Sequence, residues 1–142
     1  MSKGERTMIE VLMASGKYCP LKDLPNSPLP INLMVWFETA KQVMELPNVV
    51  CHFIESKTLK TVSSGNIFQI GALGCAYGDN SFAFVGTDIP EVVDDRRTII
   101  HEMLHLKGWF HGDVSHEDYE IEVERLYNLT KENLPIILCI ER

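Results

Sequence analysis

The spacing of apolar and polar positions along the chain predicts three amphipathic helices. In residues 31–46, apolar residues recur at three- and four-residue intervals, and Pro47 ends the pattern. A second helix is expected over about residues 89–107. A third, strongly acidic helix is expected from Ser115 to about Lys131, where Ser115 can cap its first turn.

Short runs rich in β-branched and aromatic residues predict three strands. They cover Val49–Ile54, Asn66–Leu73 and Ser81–Gly86, and the polar segment Lys57–Gly65 between the first two is expected to be a loop. The stretch Tyr77–Ser81 has the composition of a hairpin turn, so the last two strands should be antiparallel. The last strand is then expected to lie at the edge of the sheet, where it could line a cleft.

The two ends of the chain carry weaker patterns. Residues 1–16 could hold a short helix, and the four prolines of residues 17–30 predict an extended strap pinned to the core by leucines. Leu134–Ile140 is an apolar run that fits a strand or a core-covering tail. A length of 142 residues fits one α+β domain over residues 1–142, with an N-terminal strap over residues 1–30.

Candidate chemistry lies in the second helix, which contains the pattern H-E-x-x-H-x-x-G-x-x-H. His101 and His105 are four residues apart, so they share one helix face and can bind one Zn²⁺ ion. Glu102 can act as general base towards a zinc-activated water. Gly108 can end the helix in a left-handed turn, and His111 can then complete the ligand set.

Composition restricts the class of partner and the compartment. A net charge of −7 disfavours binding to nucleic acid through a broad basic surface. The four scattered cysteines fit reduced thiols, and no signal peptide or membrane-spanning run is evident, so a cytoplasmic protein without a membrane partner is expected.

The run from Arg96 to His105 resembles the zinc helix of the ImmA/IrrE-type metallopeptidases, small intracellular zincins found in many phages and mobile elements. The resemblance covers roughly residues 75–130 and implies a third ligand on the following helix. Glu124 is the best match to that ligand, followed by Glu120 or Glu122. Some members of the family cleave phage-type repressors, which implies a protein or peptide substrate, including a regulatory protein.

Two other families share the three-histidine spacing. The motif is similar to that of the metzincins, although no methionine follows Met103 to form their methionine turn. It is also similar to that of the YbeY-type metal-dependent RNA-processing proteins, which lack an acid at the position of Glu102. Because a helix broken at Gly108 would bring His111 within reach of the metal, we favour His111 over Glu124 as third ligand.

These observations together predict a zincin-like α+β fold, with a small, mostly antiparallel sheet packed on helices. The expected function is that of a zinc-dependent metallopeptidase with His101, His105 and His111 as ligands and Glu102 as catalytic base. Tyr77, Trp109 and His116 are candidate oxyanion donors. The alternatives are a non-proteolytic binding or inhibitor module of phage or mobile-element origin, and a YbeY-like RNA hydrolase.

Overall fold

The computed structural model describes residues 20–62 and 74–135. These residues form a mixed α+β structure that opens with a 3₁₀ turn at Pro20–Asp23. The elements that follow are helix α1 (Ile31–Val43), strand β1 (Val50–Ile54), helix α2 (Ser56–Val62), strands β2 (Gly74–Tyr77) and β3 (Ser81–Val85), and helices α3 (Asp95–Leu106) and α4 (His116–Glu132).

The three described strands form one mixed sheet in the order β1-β3-β2. The hairpin joining β2 and β3 is antiparallel and turns after Tyr77 as predicted, although no strand was predicted at Gly74–Tyr77. Strands β1 and β3 run parallel, because a chain segment crosses over between them instead of turning back directly. The described strands therefore form a mixed sheet and not the mostly antiparallel sheet that was predicted. The predicted edge strand, Ser81–Gly86, corresponds to β3, which is central and buried along its whole length, and β2 is the edge strand on that side among the described residues.

Helix α3 lies at the centre of the molecule because its apolar side is buried by several elements. It packs against β2 and β3 on one side and against α1 and α4 on the other. Its buried apolar residues are Ile99, Ile100, Met103 and Leu104. The core continues into the sheet, where Phe82 meets Phe37 of α1 edge-on with ring centroids 5.7 Å apart. The helix that carries the histidine motif is thus held rigidly from two sides.

Two element boundaries differ from the prediction. Helix α3 begins at Asp95 and not near residue 89, because Asp94 caps it by accepting a hydrogen bond from the Arg96 amide, and the preceding residues 90–92 form a turn. The segment expected to be a loop at Lys57–Gly65 includes the short helix α2. Helix α4 agrees with the prediction, and Ser115 caps it by accepting a hydrogen bond from the Asp118 amide.

The proline-rich strap is attached to the sheet where it is described. Asn26 accepts a hydrogen bond from the Phe53 amide, and Ser27 forms an isolated bridge to the same residue of β1. Leu21 is fully buried beneath the sheet. The helix predicted in residues 1–16, the strand predicted at residues 66–73 and most of the run 134–140 lie outside the described residues.

The cysteines differ from the expectation of four reduced thiols. Cys51 is a free, half-buried thiol whose pKa burial raises to about 12. Cys75, in strand β2, is disulfide-bonded. None of the helices within the described ranges is long and apolar enough to cross a membrane.

Candidate metal centre

Three histidines converge at the end of helix α3. Ligand nitrogens of His101, His105 and His111 all lie within 4.8 Å of one another. The three ring centroids are 4.7–5.2 Å apart. Imidazole is a common ligand for Zn²⁺, and three such donors leave a fourth tetrahedral position for a reactant, so the donor chemistry fits the predicted ion.

A helix-ending bend places the third histidine. Gly108 has a φ of +99°, in the left-handed region that favours glycine. The amide of Gly108 donates to the His105 carbonyl and the amide of Trp109 donates to the Leu104 carbonyl, which together form a Schellman motif. The chain therefore turns back over the last turn of α3, and His111 meets the two helical histidines as the sequence predicted.

The same bend orients the ring of His105. Its Nδ1 lies 2.7 Å from the carbonyl oxygen of Trp109. Because a carbonyl can only accept, Nδ1 carries the proton, and Nε2 is left with a free lone pair for a metal. The sequence offered no signal for this contact, because a backbone carbonyl can come from any residue.

The environment keeps the helical histidines neutral. The pKa of His101 is lowered to about 4, first by burial and then by the neighbouring histidines His105, His111 and His116. Burial also lowers the pKa of His105, against the opposing effect of its hydrogen bond to Trp109. Neutral imidazoles at physiological pH are ready to bind a metal without first losing a proton.

Tyr119 of helix α4 packs against all three histidines of the cluster. Its ring centroid lies 4.8, 5.1 and 4.6 Å from those of His101, His105 and His111. Its hydroxyl donates to the His101 carbonyl at 2.7 Å, and the side chain is fully buried. Nothing in the sequence indicated that Tyr119 would pack against the histidines, because it stands within the acidic run of α4, between Asp118 and Glu120.

Because the Tyr119 ring packs against three histidines, truncating this side chain should destabilise the protein. We expect Tyr119→Phe to lower the free energy of unfolding of the metal-free protein by about 1 kcal/mol, since one hydrogen bond is lost. Tyr119→Ala should lower it by about 3–5 kcal/mol, because a cavity opens beneath three rings. Urea denaturation of both variants measures this difference. Equal losses in the two variants would mean that the ring does not support the histidines.

Glu102 occupies a buried position beside the cluster. It is only 5% exposed, and burial raises the pKa of its carboxyl to about 8. A divalent cation at the adjacent histidines would lower this pKa again, because an opposite charge stabilises the carboxylate. A carboxyl whose pKa lies near neutrality is suited to accept and return a proton.

Strand β2 holds Glu102 in place through Gly74. A Cβ at Gly74 would lie 2.9 Å from Cγ and 3.0 Å from Oε2 of Glu102, and 2.9 Å from the Ala83 carbonyl oxygen. Only a glycine leaves room for the carboxylate between α3 and the sheet. Nothing in the sequence marks Gly74 as part of the site, because its contact with Glu102 joins distant segments.

We therefore expect Gly74→Ala to displace Glu102 and to reduce any Glu102-dependent activity by at least about tenfold while zinc stays bound. Gly112→Ala is the matched control, because an added Cβ there meets nothing within 4 Å and Gly112 lines neither of the clefts beside the cluster. Activity and zinc content are measured for both variants. If Gly74→Ala behaved like Gly112→Ala, the close packing on Glu102 would have no functional role.

The histidines and Glu102 line a cleft of about 700 Å³ between β2 and the helices. Along one wall, Asp94, Arg97 and Thr98 continue the face of α3, and Phe110 stands at the other end. A second cleft of about 320 Å³ shares Ala76, His105 and Phe110 with the first and continues along β2. The two clefts adjoin at these shared residues, and together they form a groove that follows β2 past His105.

Comparison with protein-family models, with curated proteins and with solved structures found no match to this chain. The family resemblances of the motif therefore remain predictions, and what the structure itself supports is a three-histidine cluster able to hold a metal ion.

The alternative third ligands lie apart from the cluster. Glu124 pairs with Arg97, its Oε1 lying 2.5 Å from Nη2, and Glu122 makes two hydrogen bonds to Arg125. Glu120 lines the main cleft but is not among the residues whose ligand atoms converge. Among the described residues, only the three histidines form a group of metal-ligand type.

The predicted oxyanion donors are not in the main cleft. Tyr77 lines the second cleft, and its hydroxyl accepts a hydrogen bond from the Lys22 amide. The Trp109 ring packs against Tyr119 at 6.3 Å between centroids. His116 is exposed at the first turn of α4. Of the described residues, none of these three lines the wall around His101 and Glu102.

Proposed function

We propose that this chain is a zinc-dependent peptidase that hydrolyses peptide bonds of a protein substrate. The observation that carries the proposal is the burial of one carboxyl, Glu102, beside a cluster of three converging histidines in an open cleft. A structural histidine cluster would not require a buried acid beside it, because burying a carboxyl without a charged partner is unfavourable.

In this proposal His101, His105 and His111 hold the ion. When bound, zinc would polarise the scissile carbonyl and make a water molecule a stronger nucleophile at neutral pH. Glu102 takes the proton of the attacking water and passes it to the leaving amine. The Trp109 carbonyl keeps the His105 ring in the tautomer that presents Nε2 to the ion.

The groove favours an extended polypeptide as substrate. Strand β2 lies at the edge of the described sheet, with Gly74, Cys75 and Ala76 lining the main cleft and Ala76, Tyr77 and Gly78 lining the second. An extended peptide laid along this edge could pair with β2 and cross the histidine cluster. Because the groove follows the whole of β2 and passes His105, we propose cleavage within a chain and not only at its ends.

A digest of a synthetic peptide library tests the proposal. Decapeptides with acetylated N-termini and amidated C-termini are incubated with the zinc-loaded full chain, and mass spectrometry identifies the products. We expect internal cleavage that stops when zinc is removed with a chelator and returns when zinc is added. Intact peptides after prolonged incubation with fully zinc-loaded protein would contradict the peptidase proposal.

A further inference from the structure

We propose that Arg97 is a binding site for a carboxylate of the substrate, so that the groove selects peptides carrying a carboxylate close to the bond that is cleaved. This inference rests on the proposed function and adds the substrate class. Arg97 lines the main cleft together with His101, Glu102 and Thr98. It precedes His101 by four residues, so both side chains project from the same face of α3.

The guanidinium of Arg97 is held in a fixed orientation. Its Cζ lies 4.9 Å from the centroid of the Tyr127 ring, close enough for a cation–π contact. Tyr127 is itself anchored, since its hydroxyl donates to Oδ2 of Asp94 at 2.8 Å. An arginine stacked on an anchored ring presents its N–H groups in one plane, which suits recognition of a planar carboxylate.

The present partner of Arg97 can be displaced. Nη2 of Arg97 contacts Oε1 of Glu124, and the two side chains are 38% and 52% exposed. Ion pairs this exposed contribute little to stability, because water and salt screen both charges. The Glu124 carboxylate therefore shows where a carboxylate can bind Arg97. A substrate carboxylate could replace it with little loss of protein stability.

The acidic residues nearby have partners or positions of their own. Asp94 forms an ion pair with Arg96, whose Nε lies 3.7 Å from Oδ1, and its Oδ2 accepts a hydrogen bond from Tyr127. Glu120 stands one helical turn before Glu124, and its neighbour Tyr119 bonds to His101. Glu120 therefore lies at the level of the histidines, and Arg97 lies one turn farther along the cleft.

That spacing sets the position of the carboxylate. Four residues of helix span about 6 Å, and adjacent residues of an extended peptide are about 3.3 Å apart. A carboxylate bound by Arg97 would thus belong to a residue within about two positions of the cleaved bond. An aspartate or glutamate side chain fits this description, and so does the free carboxyl terminus of a peptide.

Selective binding tests the inference without requiring cleavage. The zinc-loaded Glu102→Gln protein is immobilised and exposed to the blocked decapeptide library, and retained peptides are sequenced. We expect enrichment of aspartate or glutamate, and loss of that enrichment by about tenfold when Arg97→Gln is added. Arg125→Gln is the matched control, because the exposed Arg125 forms an ion pair with Glu122 and neither residue lines the cleft.

A second library with free carboxyl termini separates the two sources of the carboxylate. Retention that requires the free terminus would identify the terminal carboxylate as the group bound, and retention by both libraries would identify an acidic side chain. Glu124→Gln should strengthen retention in either case, since it removes the competing carboxylate. Retained peptides with no acidic enrichment and no dependence on a free terminus would overturn the inference.

Kinetics on a cleaved peptide give an independent check. Arg97 touches the substrate away from the reacting bond, so Arg97→Gln should raise KM by about tenfold with kcat nearly unchanged. A fall in kcat at constant KM would contradict a binding role. If the zinc-loaded protein cleaves nothing while acidic peptides are still retained through Arg97, the peptidase proposal fails and the carboxylate site stands.

Discussion

Glu102→Gln should abolish peptide hydrolysis while leaving the fold and the bound zinc unchanged. The amide has nearly the same size and fits the same space beside Gly74, but it cannot take a proton from water. Positioned general bases contribute about 10²–10⁴-fold to a rate, so the loss should fall in or above that range. The measurement is kcat on one library-derived peptide, together with zinc content and a thermal unfolding curve.

The control for this substitution is Glu91→Gln. Glu91 is an exposed carboxylate in the turn before α3 and does not line the cleft, so the same chemical change there should leave kcat unaltered. If Glu102→Gln retained full hydrolysis, Glu102 would not be the base. If a biological effect of the chain survived in this variant without detectable hydrolysis, the non-proteolytic binding module would be the better reading.

His111→Ala should weaken zinc binding by more than about 100-fold, whereas Glu124→Ala should leave it nearly unchanged. His111 supplies one of three converging nitrogens, and removal of a group outside the ligand set typically weakens affinity by only about 10–100-fold. Glu124 is paired with Arg97 and is not part of the cluster. Competition with a chromophoric zinc chelator measures both variants.

The backbone at Gly108 provides an internal check on this assignment. Gly108→Val should weaken zinc binding because a β-branched residue resists a φ of +99° and would displace His111. Gly112→Val is the control, since an added Cβ there also meets nothing within 4 Å but the backbone φ is not in the left-handed region. If Glu124→Ala lost zinc while His111→Ala and Gly108→Val kept it, the third ligand would be Glu124.

Local chemistry made the three-histidine cluster predictable from sequence. The four-residue spacing of His101 and His105 and the helix-ending glycine act through short-range geometry, so the pattern alone indicated that His111 would join them. The caps and bounds of α4 followed for the same reason. Helix α3 was predicted to begin too early, because several residues before it can cap a helix and only packing decides that Asp94 is used.

Contacts between distant segments could not be predicted in this way. The approach of Gly74 to Glu102, the packing of Tyr119 under three histidines and the pairing of Arg97 with Glu124 each join elements far apart in sequence. The parallel pairing of β1 with β3 could not be predicted either. The pattern of a strand shows which residues share a face, but it does not show which strand pairs with it. These tertiary contacts position the residues that surround the three histidines and Glu102.

Metal analysis of the purified full chain is the most direct test of the metal centre. Protein prepared without chelator and dialysed against trace zinc should contain close to one zinc ion per chain. The double variant His101→Ala/His105→Ala should contain almost none while keeping its helical circular dichroism. Wild-type protein that folds but takes up no zinc, or that binds as much zinc as the double variant, would contradict the three-histidine site and every function proposed for it.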